Sequence, residues 1–275
     1  MQIGIIGNGF VGGATALLEC EGNDVFIYDL DPDKCKPKGL SLSDLCYCRV
    51  VFICVPTPMR GDGSCNLDFV EKVVEEVSKI VLRQKIVIRS TVPVGTSEKL
   101  GVCVMPEFLT EANWEKDFIN CESWVVGEDN PAMITSLLIG RIFQTAHRQG
   151  KIKHLNFSAC TTKEAELIKL TRNTFLATKV SFFNEVETFC QAMNISYENV
   201  RKMVTLDNRI GNSHTAVPGP DGKKGFGGTC FPKDTFSLRH QMTQAKVEPR
   251  VINAVLSRNQ ELDRLNHEHK NQKIF

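Results

Sequence analysis

The stretch that decides the fold is IGIIGNGFVGGATALLE, residues 3–19. It reads as an apolar strand, then a Gly7-x-Gly9-x-x-Gly12 loop, then the start of a helix. A glycine triplet alone often marks only a tight turn. Here a strand precedes it, a helix follows, and Asp29 stands at the end of the next β-rich run, the context that a dinucleotide-binding turn requires. Gly7 allows the tight turn, Gly9 lets backbone amides approach a pyrophosphate, and Gly12 permits close packing of helix on strand. Phe10 and Val11 complete the loop, and the pyrophosphate is expected at the positive helix N-terminus. A carboxylate at Asp29 would accept hydrogen bonds from ribose hydroxyls and repel a 2′-phosphate. The expected cofactor is therefore NAD rather than NADP.

Outward from this turn, β-rich runs alternate with helical patterns. Strands are expected at QIGII (2–6), DVFIYD (24–29), VVFICV (50–55), KIVIRS (85–90), VCVM (102–105), SWVVG (123–127) and KHLNF (153–157). Several are almost wholly apolar, as parallel strands covered on both faces tend to be. Between them, residues 67–82 carry apolar side chains at helical spacing. Strand–helix alternation predicts an α/β fold, a Rossmann-like doubly wound parallel sheet over residues 1–158. The character changes at Thr161, which with Glu164 forms a capping box. Apolar residues then recur at Ala165, Ile168, Phe175, Phe182, Val186, Phe189 and Met193, predicting a helix of roughly thirty residues, far longer than usual. A further helix is expected from ISYENVRKMVTL with Ser196 as cap, and a last one over 248–270. Residues 159–275 thus form a helical domain.

Composition narrows the function. Of 275 residues, 33 are basic and 32 acidic, a net charge of +1. A general binder of nucleic acid or membrane surfaces would be more lopsided, so neither is expected as a partner. No apolar run approaches the roughly 18 residues of a membrane span, and the start lacks the basic region and cleavage site of a signal peptide. Eleven cysteines are scattered without a Cys-x-x-Cys pair. No metal site is expected, and the odd count fits reduced thiols in the cytoplasm. Ten of them read as small core fillers.

Ligands of doubly wound sheets bind beyond the carboxyl ends of the strands. There stand Thr57 in PTPMRGDGSCN, Ser90 and Thr91 in STVPVGT, and Glu107 and Glu111 in PEFLTE. Each could be an ordinary turn or cap residue; together they are expected to line one crevice. On the long helix Lys169 and Asn173 lie four residues apart and share a face, where an ammonium and an amide could hold an oxyanion. GFGGTCFPKD (225–234) places Cys230 just before Lys233 and Asp234. Its glycines and proline could simply punctuate a turn around a buried thiol. Beside a nicotinamide, however, a thiolate could trap an aldehyde, pass through a thioester and release a carboxylate.

GNGFVG, STVPVG, PEFLTE, AELIKLTRNTFLATKVSFFNEV, NRIG and GFGGTCFPKD occur in the order found in the UDP-glucose/GDP-mannose dehydrogenase family, which the chain resembles over nearly its whole length. The resemblance implies oxidation of C6 of a nucleotide sugar from alcohol to carboxylate with two NAD, UDP-glucose to UDP-glucuronate foremost. It makes Cys230 the nucleophile, with Asp234 and Lys169 acting through a water as proton acceptor and oxyanion stabiliser. Asn173 would hold the C6 oxygen, and Thr91 and Glu111 would support hydrolysis. Glu107, Phe226, Gly227, Gly228 and Lys233 would shape the sugar pocket. Gly7, Gly9, Phe10, Val11, Gly12, Asp29, Thr57 and Thr91 would bind NAD, with Lys34 near the adenosine ribose. The long helix would form a homodimer in which Arg209 reaches the partner's site. The family's third, nucleotide-binding domain is expected to be absent, since the chain stops at KNQKIF. Lys223 and Lys224 on the loop AVPGPDGKKG could contact phosphates in compensation. A non-catalytic relative acting with a partner chain, and a dehydrogenase for GDP-mannose or UDP-N-acetylmannosamine, remain open alternatives.

Overall fold

The computed structural model describes residues 1–130 and 134–265. They fall into two compact units. The first comprises Met1–Thr57 and Cys65–Lys169; the second comprises Pro58–Ser64 and the chain from Leu170 onward.

The first unit is built on a seven-stranded sheet in the order β2-β1-β3-β4-β5-β6-β7. The strands are β1 (Gln2–Ile6), β2 (Asp24–Tyr28), β3 (Val50–Ile53), β4 (Ile86–Ile88), β5 (Cys103–Val104), β6 (Trp124–Gly127) and β7 (Phe157–Cys160). Helices α1 (Phe10–Ala16), α2 (Asp68–Val77), α3 (Thr96–Leu100), α4 (Trp114–Ile119) and α5 (Thr135–Arg148) connect them. The apolar strand runs are sandwiched between two cores, as their period of two dictates. Ile3, Ile5, Phe52 and Val87 point to one face; Ile6, Val51, Ile53, Ile86 and Ile88 point to the other.

Three expectations need correction here. The sheet is mixed rather than wholly parallel, because β6 pairs antiparallel to β5 at Val104 and Gly127 while every other pair is parallel. The antiparallel contact is confined to that single register pair, whereas β6 pairs with β7 over the whole of Trp124–Gly127. The last strand lies at 157–160, not 153–157. The earlier residues are held as a loop: Trp124 Nε1 donates to His154 O, and Asn156 Nδ2 donates to Glu122 O. Helix α2 stops at Val77, short of the expected residue 82, with Val70, Val74 and Val77 buried.

A 31-residue helix, α6 (Thr162–Ala192), begins in the first unit and continues in the second. Its capping box is present: Thr161 N donates to Glu164 Oε2 at 2.8 Å, and Glu164 N donates to Thr161 Oγ1. Within the second unit follow α7 (Tyr197–Val204), capped by Ser196, α8 (Phe231–Gln244) and α9 (Arg250–Arg258). The sequence patterns had not revealed α8, whose apolar residues lack a clear stripe. After α9 comes one π turn, Asn259–Asp263; residues 266–270 of the expected terminal helix lie outside the described residues.

The apolar stripe of α6 divides. Ala165 is buried, but Phe175, Phe182, Phe189 and Met193 are 64%, 60%, 63% and 56% exposed. The core of the second unit is instead made by Ala177, Phe226, Val255 and Leu256, with Val180, Phe231, Phe236 and Ile252 around them. Among the described residues no helix is long and apolar enough to cross a membrane.

Candidate active site

In the first unit the glycine turn is shaped by close approach. Gly7 has φ +91°, and a Cβ there would press on the carbonyl of Cys54; one on Gly12 would run into the carbonyl oxygen of Gly7. A Cβ on Gly9 would meet nothing within 4 Å, so the space over this residue is open. Gly9 is the N-cap of α1, and Phe10 and Val11 begin that helix, both half-buried. Asp29 follows β2. Its carboxylate accepts from Asn8 N at 2.7 Å and Asp31 N at 2.9 Å, which fixes it against the turn. Lys34 is exposed and 3.8 Å from Asp31, while its carbonyl accepts from Asn8 Nδ2.

Two loops beyond β3 and β4 are tied together: Thr57 Oγ1 donates to Thr91 O at 2.8 Å, and Ser90 Oγ to Val55 O at 2.6 Å. Beyond β5, Glu107 is buried. One carboxylate oxygen accepts from Lys169 Nζ at 2.8 Å, the other from Leu109 N at 2.6 Å. Both side chains of this ion pair are 3% exposed, and the ammonium lies 5.6 Å from the Phe108 ring centroid. Glu111, four residues further, is exposed.

Three buried charged residues escaped the sequence reading: Arg89, Glu166 and Glu187, the last paired with Lys224. Glu166 accepts from Gly95 N at 2.5 Å and Ser97 N at 2.8 Å, holding the STVPVGT loop to α6; burial raises its pKa despite those bonds. Its position one turn before Lys169, on the buried face of the helix, was the available signal. Arg89 is 1% exposed over the Phe118 ring, with Nε and Nη1 lacking hydrogen-bond partners. Burial lowers its pKa. An arginine directly after the apolar run Ile86–Ile88 was its only trace.

In the second unit Asp234 is 1% exposed and stands in the first turn of α8. It accepts from Asn173 Nδ2 at 2.6 Å and from Lys233 Nζ at 2.5 Å. Cys230 is the N-cap residue of α8 and half-buried, its carbonyl accepting from Asp234 N. Thr229 Oγ1 lies 3.7 Å from Cys230 Sγ. The sequence grouped Lys169 with Asn173 by their spacing; in the structure each has its own buried carboxylate, Glu107 and Asp234. Phe226 is in the core rather than on the surface, and Gly228 has φ +75°. Gly227 lies under the Arg264 guanidinium. Arg209 is 90% exposed and holds Asp207 through Nε and Nη2. Lys224 pairs with Glu187 at 2.6 Å, and Lys223 is exposed.

The thiols also differ from expectation. Only Cys48, Cys54, Cys103 and Cys190 are buried, Cys46 is exposed, and the others are half-buried. Sulfur fills core space in four places, because many of these cysteines sit in loops and on helix faces that a residue count cannot assign.

Chemically, the first unit offers an open glycine turn beside a fixed carboxylate, and a buried ammonium–carboxylate pair. The second offers a thiol at a helix start and a buried carboxylate one turn away, braced by an amide and an ammonium. Among the described residues no group of three or more His, Cys, Asp or Glu side chains could hold a metal ion.

Comparison with known proteins follows these features. Residues 41–147 match the NAD binding domain of the UDP-glucose/GDP-mannose dehydrogenase family, and residues 163–261 match the central domain of the same family. A UDP-glucose 6-dehydrogenase of Rickettsia typhi is 32% identical over 84% of this chain and 53% of its own length. A UDP-glucose dehydrogenase structure from Pyrobaculum islandicum superposes with a TM-score of 0.80 at 27% identity, covering 94% of this chain and 67% of that one. A GDP-mannose dehydrogenase structure from Pseudomonas aeruginosa gives 0.66 at 26% identity, covering 94% and 68%. The chain spans about half the length of the curated relatives it matches.

Proposed function

The chain belongs to the UDP-glucose/GDP-mannose dehydrogenase family, and from that premise we propose that it oxidises the C6 alcohol of a nucleotide sugar, foremost UDP-glucose, to the carboxylate. The observation that carries the catalytic reading is Asp234, buried, bonded to Asn173 and Lys233, and one turn from Cys230. A buried carboxylate beside a thiol at a helix start suits proton management better than packing, since burying it costs free energy that a structural role could avoid.

Residues 1–158 hold the cofactor in this proposal, and residues 159–275 supply the nucleophile. Gly7, Gly9, Phe10, Val11, Gly12, Asp29, Thr57 and Thr91 bind NAD, with Lys34 at the rim. The open space over Gly9 and the fixed carboxylate of Asp29 fit a pyrophosphate and a ribose. NAD held by these residues would supply the hydride acceptor for each of the two oxidations. The first oxidation leaves an aldehyde at C6. Cys230 Sγ adds to that carbon, forming a C–S bond as the carbonyl oxygen takes a proton. The second oxidation leaves a thioester, and water then breaks the C–S bond, returning the thiol and releasing the carboxylate. Asp234 accepts the proton and Lys169 stabilises the oxyanion, both through a water. Asn173 holds the C6 oxygen, Thr91 and Glu111 support the hydrolytic water, and Glu107, Phe226, Gly227, Gly228 and Lys233 shape the sugar site.

A homodimer through α6 is part of the proposal, with Arg209 reaching the partner's site; the exposed Phe175, Phe182, Phe189 and Met193 support it. Eleven free thiols support a reducing cytoplasmic setting. The test is NADH formation with UDP-glucose, GDP-mannose and UDP-N-acetylmannosamine. Two NADH per UDP-glucose are expected, with Cys230→Ser blocking turnover. Binding of NAD without its reduction by any of the three would overturn the reading.

A further inference from the structure

The loop that delivers Cys230 to α8 has no ladder or helix to hold its backbone, yet part of it is buried. A buried backbone needs partners, and here side chains supply them. Gly225 N donates to Asn184 Oδ1 at 3.1 Å. Phe226 N donates to Asn259 Oδ1 at 2.8 Å, and Asn259 Nδ2 donates back to Phe226 O at 3.0 Å. Arg264 Nε donates to Lys224 O at 2.7 Å, and the same guanidinium pairs with Asp221. Asn259 is 3% exposed and Phe226 2%, so the amide and the peptide satisfy each other away from water.

The glycines of the loop fit this grip. A Cβ on Gly225 would strike the Asn259 side chain, and one on Gly227 would strike the Arg264 guanidinium. Asn259 opens the π turn after α9 and Arg264 follows its last residue. Arg264 N donates to Asn259 O at 2.8 Å, and this five-residue closure brings the two side chains onto one side.

We propose that Asn259 and Arg264 are positioning residues for Cys230: they clamp the backbone of residues 224–226 and thereby set where the sulfur stands at the start of α8. The proposal rests on the reading of Cys230 as the nucleophile. It gives Gly225 and Gly227 a reason to be glycine beyond the sugar site, since a Cβ at either would strike the clamp. Their spacing from Cys230 is short enough for a displacement of the loop to reach the sulfur, and misplacement of a reacting group by about 1 Å can cost about a hundredfold in rate.

The test compares wild type, Asn259→Ala, Arg264→Met and, as a stability control, Cys190→Ala, a buried truncation on α6. Hydrogen exchange is followed over residues 221–231, iodoacetamide labelling at Cys230, and NADH formation against substrate concentration. Asn259→Ala removes both hydrogen bonds to the Phe226 backbone and is expected to speed exchange in this segment about tenfold or more. It should change the labelling rate of Cys230 and lower kcat about tenfold or more with little change in KM for NAD. Cys190→Ala should lower Tm without these effects. Unchanged exchange and labelling in Asn259→Ala, or the same changes in Cys190→Ala, would overturn the proposal. Should Asn259→Ala not fold, Arg264→Met carries the test with the same two outcomes. A wild type that forms no NADH defeats the catalytic reading alone, since exchange and labelling still report the clamp.

Discussion

Removing one partner of the Lys169–Glu107 pair should be far more costly than removing both. At 2.8 Å and an effective dielectric of about 20, the two charges attract by about 6 kcal/mol. Desolvating each costs several kcal/mol, so the pair as a whole contributes little net stability. Lys169→Met leaves the buried Glu107 charge with Leu109 N as its hydrogen-bond donor and the nearby Arg89 charge as its electrostatic partner; Glu107→Leu leaves the Lys169 ammonium facing the Phe108 ring. Each single change should cost about 3–5 kcal/mol. In the double variant neither member of the pair is stranded, and the remaining costs are the orphaned Leu109 N–H, about 1–3 kcal/mol, and the loss of the Glu107 charge near Arg89. The singles would sum to about 6–10 kcal/mol, which predicts a coupling of several kcal/mol. Urea unfolding followed by the fluorescence of Trp114 and Trp124 measures this, since both tryptophans lie in the same unit as the pair. Additivity of the two singles to within about 0.5 kcal/mol would refute the reasoning.

Gly12→Ala should collapse the first unit, because its Cβ meets the Gly7 carbonyl, whereas Gly9→Ala should keep the wild-type Tm and weaken NAD binding; equal Tm losses in the two would count against the role given to Gly9. His214, half-buried with Nδ1 unpartnered, has a pKa lowered from 6.5 by burial and by Lys179. Below about pH 6.5 the unfolded chain therefore binds a proton that the folded chain resists, and stability falls with pH towards the folded pKa, by at most about 1.4 kcal/mol per pH unit. Urea titrations should show this slope flattened in His214→Asn, a residue that tolerates the positive φ of 61°; an unchanged slope assigns the effect elsewhere. Burial pushes the thiol pKa of Cys48 to about 11 and of Cys54 to about 12, and raises that of Cys103 as well. At about pH 8 iodoacetamide should label the exposed Cys46 and leave those three intact until urea is added, as peptide mass spectrometry would show.

Local signals read well where one residue type has one physical use. Gly7 needs a positive φ, Thr161 and Glu164 need only each other to cap α6, and Ser196 caps α7; all three were legible before any tertiary contact. The antiparallel entry of β6 and the shift of β7 to 157–160 were not. They depend on which strands meet across the sheet and on bonds from Trp124 and Asn156 to distant carbonyls. Helix α8 was hidden because its buried residues include Asp234, Thr235 and Ser237, which hydrophobic periodicity does not count.

The sequence by itself determined the local features: a glycine turn between strand and helix, an acid after β2, and a cysteine set among glycines in an ordered run of motifs. Those depend on residue identity and short-range geometry alone. Which polar groups meet was decided only by tertiary structure. Lys169 and Asn173 share a helix yet pair with carboxylates 62 and 61 residues away, and Phe226 is locked by an asparagine 33 residues further on. Desolvation makes each of these groups require a partner, but the partner's identity follows from how distant segments pack.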